Sequence, residues 1–176
     1  MIGAVWILAA VGGGIVGLFE ALGPPPLGRD LEVSTVVLDR NGTLLRAYLT
    51  SEGRWRLPAT RDQVDPRFLE VLFAYEDKRF YQHHGVDPLA LTRAAFQLLT
   101  HGSIVSGGST LTMQVARLLE PRRKRSFDAK LRQAVRALEL EWALSKDDIL
   151  GLYLTLAPYG SNLEGVRATS LAYFGK

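Results

Sequence analysis

Residues 2–19 carry no charged side chain. As a helix this run is about 27 Å long, close to the hydrocarbon thickness of a bilayer. Glu20 is followed by apolar residues up to Gly23. The pattern predicts a transmembrane signal anchor over residues 1–23. It fits a cleaved leader less well, because the run is long and no basic residues precede it. Arg29 and Asp30 cancel just after the run, so charge bias assigns no orientation. Pro24, Pro25 and Pro26 end the helix and stiffen a linker over residues 24–32.

After the linker the pattern changes twice. Val33 to Leu38 is apolar and β-branched, and Asn41-Gly42 separates it from Thr43 to Tyr48. This predicts a β-hairpin with an Asn-Gly turn, within a segment of residues 33–60 that leads into the main domain. From Asp65 onward the apolar positions recur at helical spacing. Asp65-Pro66 and Asp87-Pro88 pair an N-cap with proline at the first helical position. They predict helices to about Asp77 and Thr100. Ser109 is expected to cap a helix to Leu119, and Ser126 a long one to Leu144. Ser145 with Asp148 forms a capping box for a helix ending near Leu156. A last helix is expected over Glu164 to Phe174. The chain therefore reads as mainly α, with residues 61–176 as its principal domain.

Composition narrows the chemistry. Of 176 residues 47% are hydrophobic, which excludes a disordered tail. There is no cysteine, hence no disulfide framework, thiol nucleophile or thiolate metal site. The net charge is only +3, so attraction for an anion must come from local clustering. Such a cluster exists: Arg117, Arg122, Arg123, Lys124, Arg125, Lys130, Arg132 and Arg136 face only Glu120 and Asp128 in the same stretch. It suits a multiply charged phosphate group or lipid headgroups. Nucleic acid fits poorly, since no aromatics are interleaved and no DNA-reading motif is present.

Two further features carry candidate chemistry. At 100° per residue, Glu76 falls on the stripe of Leu69, Leu72 and Phe73, while Asp77 falls opposite. Periodicity leaves two readings open. Glu76 is either a desolvated carboxylate with a raised pKa, suited to acid–base work, or part of a last turn open to water. The second feature is Gly107-Gly108-Ser109-Thr110, which opens a helix whose free amides could bind an anion. Thr110, Gln114 and Arg117 follow as a polar row that meets either a ligand or solvent. His83, His84 and His101 are not spaced as metal ligands on one helix.

Together the motifs resemble one family. Glu76 to Gly85 resembles the ED-x-x-F-x-x-H-x-G signature of glycosyltransferase family 51, the peptidoglycan glycosyltransferases. Gly107 to Gln114 is similar to its GGST-L/I-T-x-Q block, and Lys146 to Leu154 to its K-D/E-D/E-I-L-x-x-Y-L-N block. Ala157-Pro158-Tyr159-Gly160, Leu163-Glu164-Gly165 and Trp142 resemble the penicillin-binding protein 1C branch. The likeness runs from about Val33 to Lys176, short of the family's full domain, so the chain is expected to be an N-terminal part of a longer protein.

The resemblance implies a lysozyme-like, mainly α domain with a short N-terminal β-hairpin and one transmembrane helix. It implies a protein of the bacterial inner membrane, with its catalytic domain outside the cytoplasm. The implied substrates are lipid II and the nascent glycan strand, with membrane lipids and other cell-wall synthesis proteins as neighbours and no nucleic acid. The reaction forms β-1,4 links with inversion and releases undecaprenyl diphosphate. By motif match Glu76 is the base. Asp77, Phe80, His83, Ser109, Thr110, Gln114, Arg117, Arg125 and Lys130 occupy substrate- or diphosphate-binding positions. No cofactor is certain, although the family is often assisted by a divalent cation, Mg2+ or Mn2+.

Two departures stand out. Gln133 occupies the place of the family's second carboxylate, and an amide cannot ionise or relay a proton at neutral pH. Thr155 stands where the later block ends in Asn. Two alternatives stand beside this reading: a lysozyme-like glycan-cleaving enzyme, and a non-catalytic membrane scaffold that binds lipid II, which Gln133 keeps open.

Overall fold

The computed structural model describes residues 22–101, 108–121 and 126–175. The charge-free run over residues 2–19, Gly107 and Arg122 to Arg125 lie outside them. No described helix is long and apolar enough to cross a membrane.

Strands β1 (Val36–Leu38) and β2 (Leu44–Ala47) pair antiparallel, as the hairpin signal predicts. The connection is wider than a two-residue Asn-Gly turn. Asp39 organises it, its Oδ1 accepting the amides of Asn41 at 2.7 Å and Thr43 at 2.8 Å. Gly42 supplies the positive φ of 81°. A carboxylate that binds amides two and four residues on builds its own turn.

The helices follow their caps. Helix α1 (Pro66–Glu76) starts at Asp65, whose side chain accepts the Arg67 amide. Helix α2 (Pro88–His101) starts beside Asp87, which accepts the Leu89 and Ala90 amides and chelates Arg79. Helix α3 (Leu111–Leu119) is capped by Thr110, not by the expected Ser109. Ser126 caps α4 (Phe127–Ala143), and the Ser145–Asp148 capping box opens α5 (Lys146–Leu156). Helix α6 (Val166–Phe174) starts two residues later than expected. Its predicted first residue, Glu164, instead belongs to strand β4 (Leu163–Glu164), parallel to β3 (Trp55–Arg56). No periodicity announces a two-residue pair more than a hundred positions apart. An ion pair clamps it, Arg56 Nε lying 2.6 Å from Glu164 Oε2.

Helix α5 is the centre of the core. Its Ile149, Leu150 and Leu154 are fully buried against Leu111 and Val115 of α3, Leu140 of α4, and Leu69 and Leu72 of α1. The Thr155 hydroxyl accepts the Ala59 amide at 3.2 Å and ties α5 to the segment before α1. At the N-terminal end, Arg136 of α4 donates to the carbonyls of Leu22 at 2.7 Å and Gly23 at 2.9 Å.

Gly85 allows two elements to meet. Its φ is +83°, and a Cβ there would stand 2.6 Å from the Ala137 carbonyl oxygen. Backbone cannot yield as a side-chain tip can. Gly85→Ala is expected to destabilise the domain by about 2–4 kcal/mol through combined strain and overlap. A thermal melt with an unchanged midpoint would contradict this.

Candidate active site

The adjacent residues Glu76 and Asp77 part company where α1 stops. Asp77 is the C-cap, with φ −160° and ψ 79°, so the 100° rule no longer applies to it. Its side chain turns inward and is 6% exposed. Nε2 of His83, also buried, donates to its carboxylate with both oxygens at 3.0 Å, and the Leu111 amide donates to Oδ2 at 2.9 Å. Glu76 is the exposed one of the pair. Of the two readings that periodicity leaves open for Glu76, the structure selects the last turn open to water, and it is Asp77 that is buried.

Asp77 also answers the question of the α3 N-terminus. The amide of Leu111 is taken by Asp77 and that of Met113 by the Thr110 hydroxyl. The helix start therefore holds an internal carboxylate rather than a free anion. Thr110 is 2% exposed and its hydroxyl donates to the Gly85 carbonyl, so it braces the site and does not face it. Phe80 is likewise core, 1% exposed, stacked on Phe73 and capped by the Lys146 ammonium at 4.4 Å. His83 packs edge-on to Phe80. Of the expected ligand-contacting positions, Asp77, Phe80, His83 and Thr110 are thus internal supports.

One turn into α3, Gln114 reaches back. Its Nε2 donates to Glu76 Oε2 at 2.7 Å, which fixes the carboxylate and leaves Oε1 as a free acceptor. Glu76 and Gln114 line a cleft of about 420 Å³ between α1, α3 and the end of α5. Two tyrosines of its far wall feel the Glu76 charge. Burial, then Glu76, pushes the Tyr153 phenol up to about 12, and the same two causes raise Tyr159. Both remain O–H donors across the neutral range. Sequence reasoning did not single out either tyrosine as a site residue.

Arg117 continues the polar row and forms part of the wall of that cleft. It also lines a second cavity of about 580 Å³, together with Ser109, Lys130, Arg132, Gln133 and Arg136. Here the cluster divides by pairing. Arg132 and Arg136 are tied to Glu120 at 3.0 and 2.9 Å, and Arg136 to Glu139 at 2.7 Å. Arg117 makes no ion pair among the described residues. Among the described residues Lys130 bonds only the neutral Ser109 hydroxyl. These two cations are open to an anion. Although the Lys130 side chain reaches solvent, partial desolvation and then the Arg117 charge hold its ammonium below the ordinary lysine value.

Residues 41–176 match the family model described as Transglycosylase. The chain belongs to the transglycosylase family. It is 51% identical over 157 residues to penicillin-binding protein 1C of Escherichia coli strain K12, covering 89% of this chain and 20% of that protein. To penicillin-binding protein 1A of the same organism it is 36% identical over 179 residues, covering 98% and 21%. To penicillin-binding protein 1F of Bacillus subtilis strain 168 it is 34% identical over 146 residues, covering 83% and 20%. The chain thus spans about a fifth of the length of these relatives.

Within this transglycosylase domain the position of Gln133 is informative. It lies in the wall of the cationic cavity, not in the Glu76 cleft. An amide here leaves the cavity one negative charge poorer than a carboxylate would. Glu141, two turns on, is no substitute: its Oε1 accepts from Lys146 at 2.7 Å and Thr112 at 2.6 Å. For a divalent cation the donor set does not fit. Among the described residues no group of His, Asp and Glu could hold a metal, and Glu76 is the lone carboxylate of its cleft.

Proposed function

We propose that the chain carries the polymerising site of a peptidoglycan glycosyltransferase acting on lipid II. The observation that carries this reading is the shared wall at Arg117. It sets one carboxylate in a cleft beside a cavity with two open cations. The free Oε1 of Glu76 takes the proton from the 4-hydroxyl of the acceptor sugar. The resulting oxygen attacks the anomeric carbon of the growing strand from the face opposite the leaving group, so the configuration inverts. Undecaprenyl diphosphate departs as its negative charge develops against Arg117 and Lys130, the two cations of that cavity without an ion pair among the described residues. Arg125, outside the described residues, is a third diphosphate-binding position by motif match alone. Gln114 keeps Glu76 aimed, and Asp77 with His83 holds α1 and α3 in register.

Glycan cleavage is the weaker reading. Most glycoside hydrolases use two carboxylates flanking the bond. The described cleft offers one, and a cleaving enzyme has no use for a diphosphate cavity. In this reading residues 1–23 are a single membrane anchor and residues 24–32 its linker. The segment of residues 33–60 leads into a lysozyme-like domain outside the cytoplasm of the inner membrane. That places the site beside lipid II, membrane lipids and other cell-wall synthesis proteins.

Lys130 gives the reading a pH signature. Its pKa is depressed in the free cavity, so rising pH removes its proton earlier than from a free lysine. Affinity for the diphosphate therefore weakens on the alkaline side, and kcat/KM falls there. Lys130→Arg cannot titrate in this range and should move that limb to higher pH. Superimposable alkaline limbs for the two proteins would argue against Lys130 as a diphosphate ligand.

A further inference from the structure

The transfer reaction leaves one side of the Glu76 cleft unused. Val71 and Tyr75 lie four residues apart on α1 and share a helix face. Both line the cleft and both are exposed, Tyr75 to 87%. Its ring and hydroxyl have no partner among the described residues. Across the cleft stand Pro158, exposed, and Tyr159, half-buried. The two lips are therefore apolar or aromatic, and the only charges between them are Glu76 and Arg117. A lone exposed aromatic is ordinary. An aromatic one residue before the base, facing a second aromatic lip across a cleft, is a built surface.

That surface has the chemistry of a pyranose. The ring of a β-linked hexosamine presents C–H bonds on its faces and hydroxyls at its edge. An aromatic plane with neutral phenols beside it matches both, and a cleft with one acid and one base gives no net preference for a charged ring. We propose that Tyr75 is a positioning residue: its ring packs against the face of the acceptor sugar and holds the 4-hydroxyl towards Glu76, with Pro158 and Tyr159 closing the other side. This rests on Glu76 being the base. The ligand class is a terminal β-linked N-acetylhexosamine with a free 4-hydroxyl, as at the non-reducing end of a β-1,4-linked oligomer.

The test is calorimetric titration of the protein in detergent micelles with a soluble β-1,4-linked N-acetylglucosamine tetramer. Polymerisation kinetics on lipid II are measured in parallel. Tyr75→Ala should weaken tetramer binding about tenfold, in line with the worth of an aromatic contact. It should raise KM more than it lowers kcat, and circular dichroism should be unchanged because the side chain is exposed. Tyr75→Phe, which keeps the ring, should restore binding to within about twofold. Tetramer binding that is absent in the unaltered protein, or equal in Tyr75→Ala, overturns the subsite. Glu76→Gln serves as the separate control. Continued polymerisation by that variant sinks the base assignment, whereas loss of polymerisation alongside unaltered tetramer binding by Tyr75→Ala sinks only the subsite.

Discussion

Glu76→Gln is expected to lower lipid II polymerisation by about a thousandfold while lipid II binding changes by less than about threefold. The size follows from general base catalysis, where a positioned proton acceptor contributes roughly 10²–10⁴. The split between rate and binding follows from geometry. Glu76 is exposed at the end of α1, held by one hydrogen bond from Gln114, and buries nothing that the fold depends on. A glutamine there preserves shape and can still pair with Gln114, but it cannot accept the acceptor's proton. The loss should therefore appear in kcat. Single-turnover assays with equilibrium binding of labelled lipid II would check it. An equal loss in binding would show that Glu76 holds substrate and is not the base.

Arg117→Ala should have the second largest effect, about a hundredfold in kcat/KM. Among the described residues Arg117 is the one cation that lines both the Glu76 cleft and the cationic cavity. It has no ion pair to surrender among the described residues, so all its charge is available to the departing group. Removing one preorganised donor aimed at developing charge costs roughly 10²–10³ in rate elsewhere. Arg132→Ala is the contrasting case. Its guanidinium is engaged by Glu120, so its removal leaves Glu120 held by Arg136 alone and weakens anion binding with little change in the chemical step. Kinetics of the two variants side by side decide the matter: equal profiles would mean that the cavity acts by net charge alone.

Much of the fold was legible because it depends on local chemistry. Asp65, Asp87, Ser126 and the Ser145–Asp148 pair each declare a helix start through a side chain that binds amides two or three residues on. The β3–β4 pair was not legible, since its two residues per strand carry no pattern and depend on Arg56 meeting Glu164. In the site, periodicity located the right helix end but left the exposure of Glu76 open and set Asp77 on the polar side, where the structure buries it. It assumes a helix that continues, and α1 stops at Glu76. A polar row likewise included Thr110, which the chain turns inward as a cap. The basic cluster was visible as composition. Only the fold shows that Glu120 occupies Arg132 and Arg136 and leaves Arg117 and Lys130 open. Tyr75, Tyr153 and Tyr159 do not read as site residues in the sequence because their meaning comes from the cleft they share, not from their spacing.

The most direct measurement incubates labelled lipid II with the protein in micelles, resolves the products by length on a gel, and quantifies the released undecaprenyl diphosphate. A ladder of lengthening glycan strands, with one diphosphate released for every bond formed, is the predicted result. Lipid II that is bound but unchanged, or preformed glycan cut into fragments, would contradict it.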